Sequence, residues 1–197
     1  EYRILPADQP FEEFQIFQKR ERGLEYQIAH FEDQWFVRTN WDGATNFRLM
    51  SCSEGATEKE DWTETIPHRA DVYLESFELF RDQLVLDERS NGLTRIRIIP
   101  WEGEEHYLDF GEEAYSAGIG NNPEFDSQTL RYGYSSLTTP SSVLDYDMVR
   151  REKTLLKEYE IVGGYDKSEY QTQRIWAEAE DGVKVPISLV YKKELFK

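Results

Sequence analysis

Apolar and polar residues alternate at every second position along much of this chain, in runs that suit strands better than helices. Leu130–Ser136 shows it most clearly. Leu130, Tyr132 and Tyr134 point one way and Arg131, Gly133 and Ser135 the other, which is the period of a half-buried strand. Val143–Met148 alternates again, with Leu144, Tyr146 and Met148 on one side and Asp145 and Asp147 on the other. The link Leu137–Ser142 is a Thr, Pro and Ser turn cluster, far too short for a parallel crossover, so an antiparallel pair is predicted. Gly133 in mid-strand predicts another group packed close against it.

The same texture divides the chain into sets of four. Tyr2–Leu5 and Phe14–Lys19 read as short strands flanking the loop Pro6–Pro10. Leu24–Phe31, Gln34–Thr39, Asn46–Ser51 and Trp62–Ile66 follow, with turn signals at Glu32-Asp33 and Asp42-Gly43. Val72–Phe80, Gln83–Arg89, Thr94–Ile99 and Glu105–Phe110 form a second set. Within it Asn91-Gly92 is the best hairpin signal, because both residues accept the positive φ of a type I′ turn. Tyr115–Ile119, Gln128–Ser136, Val143–Met148 and Thr154–Glu160 form a third. Leu24, Val72 and Tyr115 open the sets, at an interval of roughly 40 to 50 residues that suits four-stranded propeller blades. A meander sandwich of similar strand count gives no reason for so regular a period. After Glu160 the style changes: Gly163-Gly164 breaks the strand, Asp166 can cap one helical turn to Tyr170, and Arg174–Ala179 and Val183–Tyr191 form a hairpin around Asp181-Gly182.

Charge narrows the partners. The 197 residues carry 39 acidic and 23 basic side chains, a formal net charge of −16. Counterion-release binding to nucleic acid and docking on an anionic membrane are therefore not expected; such a surface suits basic peptides, and the plainer reading is that the acidity only keeps the protein soluble. Cys52 stands alone, so no internal disulfide can form, which fits a reducing compartment, the cytoplasm, with the periplasm as alternative. The apolar runs are far short of a membrane span. The chain begins at Glu1 within a strand-like run and reads as excised from something longer.

Little of the candidate chemistry stands up. Ser135, Ser136, Ser141 and Ser142 read as turn hydroxyls that satisfy local backbone groups. A nucleophilic serine needs a base within hydrogen-bond reach, and His30, His68 and His106 fall in separate sets. Asp87–Gly92 has Arg89 where a calcium loop needs oxygen, and Ile98 stands where its bidentate glutamate belongs. Glu102–His106 reads as a solvated acidic turn, and Gly118-Ile119-Gly120 lacks the rest of a dinucleotide fingerprint. No catalytic residue, metal or cofactor is expected. Trp35, Trp41, Trp62, Trp101 and Trp176 read as packing between blades, with a glycan platform as the sharper alternative. In a propeller the innermost strand of each blade lines the channel. Tyr26, His30, Tyr73, Glu75 and Tyr115 are the substrate-facing candidates on that ground, and the alternation leaves open which of them face it.

Four stretches carry a resemblance. LRYGYSSLTTPSSVLDY (Leu130–Tyr146), Glu60–Ile98, Asn122–Tyr132 and Arg174–Lys193 are similar to the oligopeptidase B branch of the prolyl oligopeptidase family of serine peptidases, over essentially the whole chain. The resemblance implies an all-β fold, part of a seven-bladed β-propeller of about three and a half blades, with a terminal hairpin from an α/β-hydrolase domain. Residues 1–23 would end one blade, 24–68, 70–111 and 114–160 would be three more, 161–170 the linker, and 171–197 the first strands of the peptidase domain. It also implies a parent that cleaves short peptides after Lys or Arg, with this region as a non-catalytic filter partnered by the peptidase domain of the same chain. No Gly-x-Ser-x-Gly occurs here, so no catalytic residue of the family carries over. Blades without neighbours would leave apolar faces bare, so either self-association through them or a hairpin at Gln171–Tyr191 packed in a non-native place is expected. A stand-alone propeller-like module binding a protein or glycan is the alternative.

Overall fold

The computed structural model describes residues 14–196. The strands expected at Tyr2–Leu5, and most of the blade end expected over residues 1–23, lie outside them. Phe14–Lys19 carries a single β-bridge, at Gln15, rather than a strand.

Three four-stranded antiparallel sheets follow in chain order, each a meander of neighbours. The first holds β1 (Tyr26–Phe31), β2 (Gln34–Thr39), β3 (Arg48–Ser53) and β4 (Thr63–Ile66). The second holds β5 (Val72–Leu79), β6 (Gln83–Ser90), β7 (Leu93–Pro100) and β8 (His106–Tyr107). The third holds β9 (Tyr115–Ile119), β10 (Thr129–Ser136), β11 (Ser142–Asp147) and β12 (Glu152–Glu158). A 3₁₀ turn at Lys167–Glu169, capped by Asp166 through Ser168 N, leads to the hairpin β13 (Tyr170–Glu178) and β14 (Lys184–Lys192). Among the described residues no helix is long and apolar enough to cross a membrane.

Within the three sheets the strand lengths follow the side-chain pattern, with β8 the clear exception. Glu105–Phe110 was expected as a full fourth strand, yet β8 spans two residues. Glu102, Gly103 and Glu104 before it are exposed, and Asp109 turns back to accept from the Gly111 N–H. Asn91 (φ 52°) and Gly92 (φ 74°) both take the left-handed backbone that a type I′ turn requires, and Ser90 pairs with Leu93 around them. Gly133 departs from expectation. It pairs with Gly118 and Val143, and a Cβ there would meet nothing nearer than the Gly118 carbonyl at 4.0 Å. The close approach is at Gly120, where a Cβ would sit 3.0 Å from the Arg131 carbonyl.

The chain divides after Leu74 into two compact units. The core of the first unit is aromatic: Phe17, Trp35 and Trp62 are buried with Val37, Met50 and Cys52, and Tyr26 and Trp41 pack against them. Phe17 meets Trp35 edge-on at 5.5 Å and stacks on Trp62 at 6.1 Å. Burial pushes the Cys52 thiol up to about 11, so it behaves here as a small apolar side chain.

In the second unit the β5–β8 and β9–β12 sheets pack face to face. Val85, Ile96 and Ile98 meet Leu130, Tyr132, Tyr146 and Met148 in one cluster, joined by Phe80 and Leu108. These are the alternate positions that the sequence pattern puts on one side of β10 and β11. On the opposite face of the β5–β8 sheet, Glu88 is fully buried. It accepts from Tyr107 Oη at 3.1 Å and faces Arg97 Nη1 at 3.6 Å, so its charge is partnered rather than stranded.

Candidate functional site

β1, β5 and β9 are the first strands of their sheets, and they carry the five substrate-facing candidates. In the first unit, Tyr26 Oη donates to the Gln18 carbonyl at 3.1 Å while its ring joins the aromatic core. His30, four residues along β1, lies over Trp35 at 4.6 Å with Nε2 3.9 Å from Glu54. Tyr73 meets Phe47 edge-on at 5.6 Å, and the Arg38 guanidinium, 3.6 Å above the Phe47 ring, reaches the Leu74 carbonyl at 2.7 Å. Tyr26 and His30 are thus tied into β1's own surroundings, and Tyr73 into a separate Arg38–Phe47 group.

In the second unit Glu75 and Tyr115 part company. Glu75 pairs with Arg89 Nε at 2.8 Å. Next to that pair on β6 is Asp87, whose carboxyl is pushed up to about 6 by burial first and by the Glu75 charge second, against a hydrogen bond from the Ile119 backbone. Tyr115 instead turns into the seam between the two sheets. Its hydroxyl donates to the Thr94 carbonyl at 2.8 Å and its ring packs on Phe110 at 4.5 Å and on Tyr134. In the sequence Asp87 draws notice only as the first position of a calcium loop that fails, with nothing to show the carboxylate company it keeps.

A second group that sequence reading passed over lies in the loop between the β5–β8 and β9–β12 sheets. The Glu112 side chain is 14% exposed and accepts from Tyr134 Oη at 2.9 Å, Thr138 Oγ1 at 3.1 Å, Thr139 Oγ1 at 2.9 Å and Lys167 Nζ at 2.8 Å. Burial alone would raise this carboxyl. Hydrogen bonds from Lys167 and from the hydroxyls around it, Ser136, Tyr134 and Thr139, outweigh that and hold it at about 2. The only sequence signal is an acidic pair, Glu112-Glu113, at the boundary between two sets of strands.

Among the described residues the rest of the surface offers no reacting centre. Ser142 Oγ donates to the Pro140 carbonyl and Ser136 Oγ accepts from Thr138 N, so these hydroxyls serve the turn. His106 Nε2 lies 3.0 Å from Tyr146 Oη, and burial lowers its pKa. Among the described residues no serine shares a hydrogen bond with a histidine, and no three His, Cys, Asp or Glu side chains gather closely enough to hold a metal ion. A cleft of about 560 Å³ at one end of the seam is lined by Asp82, Trp101, Glu104, His106 and Arg151, a mixed-charge surface without a nucleophile. Three of the tryptophans, Trp35, Trp41 and Trp62, lie in or against the first unit's core rather than on a flat exposed platform.

Comparison with known proteins places this arrangement. The chain is 42% identical over 99% of its length to dipeptidyl aminopeptidase BI of Pseudoxanthomonas mexicana, and 29% identical over 97% to protease 2 of Moraxella lacunata. It spans 27% of the length of each of those relatives. Among solved structures it is similar to oligopeptidase B from Trypanosoma brucei (32% identity, TM-score 0.79) and from Leishmania major (29%, TM-score 0.78), each over 89% of this chain and 26% of the other. Residues 1–159 match the N-terminal β-propeller domain of prolyl oligopeptidase, and the chain belongs to that family.

Proposed function

We propose that this chain is the non-catalytic propeller region of a serine oligopeptidase, a gate and size filter for short peptides cleaved after Lys or Arg in a neighbouring peptidase domain. The observation that carries the reading is a propeller fold of this family with no serine–histidine pair among the described residues. The reacting groups then belong to a domain that the α/β-hydrolase strands begin, and residues 171–197 are the candidates for those strands. A net charge of −16 supports a preference for basic peptides. Filtering supplies selectivity without chemistry, because a narrow route passes an extended peptide and stops a folded protein. The lone Cys52 supports residence in a reducing compartment, the cytoplasm.

The test uses the full-length protein and this chain side by side. Full-length protein should cleave an Arg-containing peptide of about ten residues and leave the same sequence intact inside a folded domain. This chain should neither cleave it nor react with a serine-directed fluorophosphonate. Labelling of this chain, or equal cleavage of both substrates, overturns the proposal.

The 42% identical relative favours a second reading, release of dipeptides from a free N-terminus. Acetylating the substrate's N-terminus separates the two: an endopeptidase is indifferent to the cap, and a dipeptidyl aminopeptidase is blocked by it.

A further inference from the structure

The segment between the third sheet and the last hairpin is held almost wholly by polar contacts. Residues 159–169 are all exposed, Val162 to 97%. Apolar burial therefore contributes little to fixing them. What fixes them is a short series of hydrogen bonds. Lys167 Nζ reaches Glu112, and Tyr165 Oη donates to the Thr138 carbonyl at 2.8 Å. Beyond the linker, the Arg174 N–H donates to Glu113 Oε2 at 3.2 Å, and the Arg174 guanidinium donates to the Asn91 carbonyl in the β6–β7 turn.

The linker and the hairpin are meanwhile tied to each other. Lys193 Nζ donates to the Ser168 carbonyl at 2.8 Å, and Lys192 Nζ lies 3.3 Å from Glu169. Asp166 closes the 3₁₀ turn on Ser168 N. Linker and hairpin therefore form one small body, joined to the sheets at the Glu112-Glu113 corner and its neighbours.

We infer that Glu112 is a positioning residue, the keeper of a releasable joint that seats the linker and the hairpin behind it on the end of the β9–β12 sheet. Its carboxylate gathers donors from three places: β10 through Tyr134, the β10–β11 turn through Thr138 and Thr139, and the linker through Lys167. A mostly buried anion with four donors is costly to leave half-satisfied, so loss of Lys167 or of the charge loosens the seat rather than leaving it indifferent. A joint with few apolar contacts opens locally at low cost, whereas the sheet beneath it opens only with its core. The consequence for catalysis rests on the proposed function, since it takes the hairpin to begin the peptidase domain.

Glu112→Gln keeps the side chain's shape and removes its charge; Lys167→Met removes the donor from a half-exposed position and leaves the buried network in place. In the full-length protein each variant should speed amide exchange at Gly163–Tyr170 about tenfold while Leu130 and Tyr132 keep wild-type protection. Combining the two should add little, because both break one contact. Unchanged exchange at Gly163–Tyr170 overturns the joint, and so does an equal rise at Leu130, which marks general loosening. Kinetics on the same samples read the second step: a kcat change for the peptide, with KM held and with Glu112→Gln restored toward wild type by Glu112→Asp, is expected. Loosened exchange without any kinetic change leaves the joint intact and removes the hairpin from the catalytic path. A wild-type protein that cleaves no peptide removes the proposed function alone.

Discussion

Asp87 and Glu112 are carboxylates on the same unit with opposite titration behaviour, and the neighbours of each explain why. Asp87 faces the apolar seam beside another acid and is pushed up to about 6 from 3.8. A raised acid binds a proton more tightly in the folded state, so its contribution is greatest below about pH 4 and falls as pH rises through 6. Asp87→Asn keeps the acceptor for the Ile119 N–H and removes that loss. At pH 7.5 it should stabilise the second unit by about 1–2 kcal/mol, the shift converted and reduced for partial exposure, and by nothing measurable at pH 4. Urea unfolding at the two pH values checks it; equal effects at both refute the assignment. Neither carboxylate was legible in the sequence. Alternation gives the side of a strand on which a residue lies, but a pKa depends on partners brought together from distant positions, Ile119 for Asp87 and Lys167 for Glu112. The channel-facing candidates show the same boundary: Tyr115 and Glu75 both sit on first strands as expected, yet one is engaged in the seam and the other with Arg89.

At the scale of elements, hydrophobic period and turn chemistry recover most strands because both are local. Gln34–Thr39 and Tyr115–Ile119 match residue for residue, and Asn91-Gly92 turns as its two residue types require. β8 fails for the complementary reason: Tyr107–Phe110 is apolar enough for a strand, but exposed Glu102 and Glu104 and the turn at Asp109 leave only two residues paired with β7. Phe17 shows how an irregular segment can matter more than a strand. It is 1% exposed in a segment without strand structure, yet it touches Tyr26, Trp35 and Trp62. Phe17→Ala should cost about 3–5 kcal/mol in the first unit and red-shift its tryptophan emission. A cost below about 1 kcal/mol would mean that the cluster closes over the gap. The linker joint makes a prediction of its own. Glu112, held at about 2 against an ordinary 4.5, stabilises fully above pH 4.5 and loses that contribution as pH falls toward 2. Between those limits the linker joint should lose about 1–2 kcal/mol from this group, read as faster exchange at Gly163–Tyr170 with the sheet core unchanged, and less than the full conversion because Lys167 is half exposed. Glu112→Gln should remove that slope, and an unchanged slope would place the acid sensitivity elsewhere.

At the scale of the whole chain, what stands out is apolar surface on strands that end a sheet. β12 exposes Leu155 and Leu156, and the hairpin exposes Trp176, Val185 and Ile187, with Ile175 opposite Ile187 across the pair. A two-stranded hairpin is marginal by itself in water, and contiguous apolar surface of this kind ordinarily lies against a partner. On the proposed function, a neighbouring peptidase domain would supply it. Alone, the 197-residue chain has only other copies of itself. It should therefore sediment as monomer at about 1 μM and shift toward larger species by about 100 μM, despite a charge of −16 that opposes contact. Raising salt should strengthen the association by screening that repulsion. Ile175→Lys with Ile187→Lys, which places two like charges across one cross-strand pair, should return the chain to monomer without disturbing the three four-stranded sheets, whose cores these residues do not enter. A wild-type chain that stays monomeric across the whole range would show that these faces need no partner, and would remove the physical reason for placing a further domain against them.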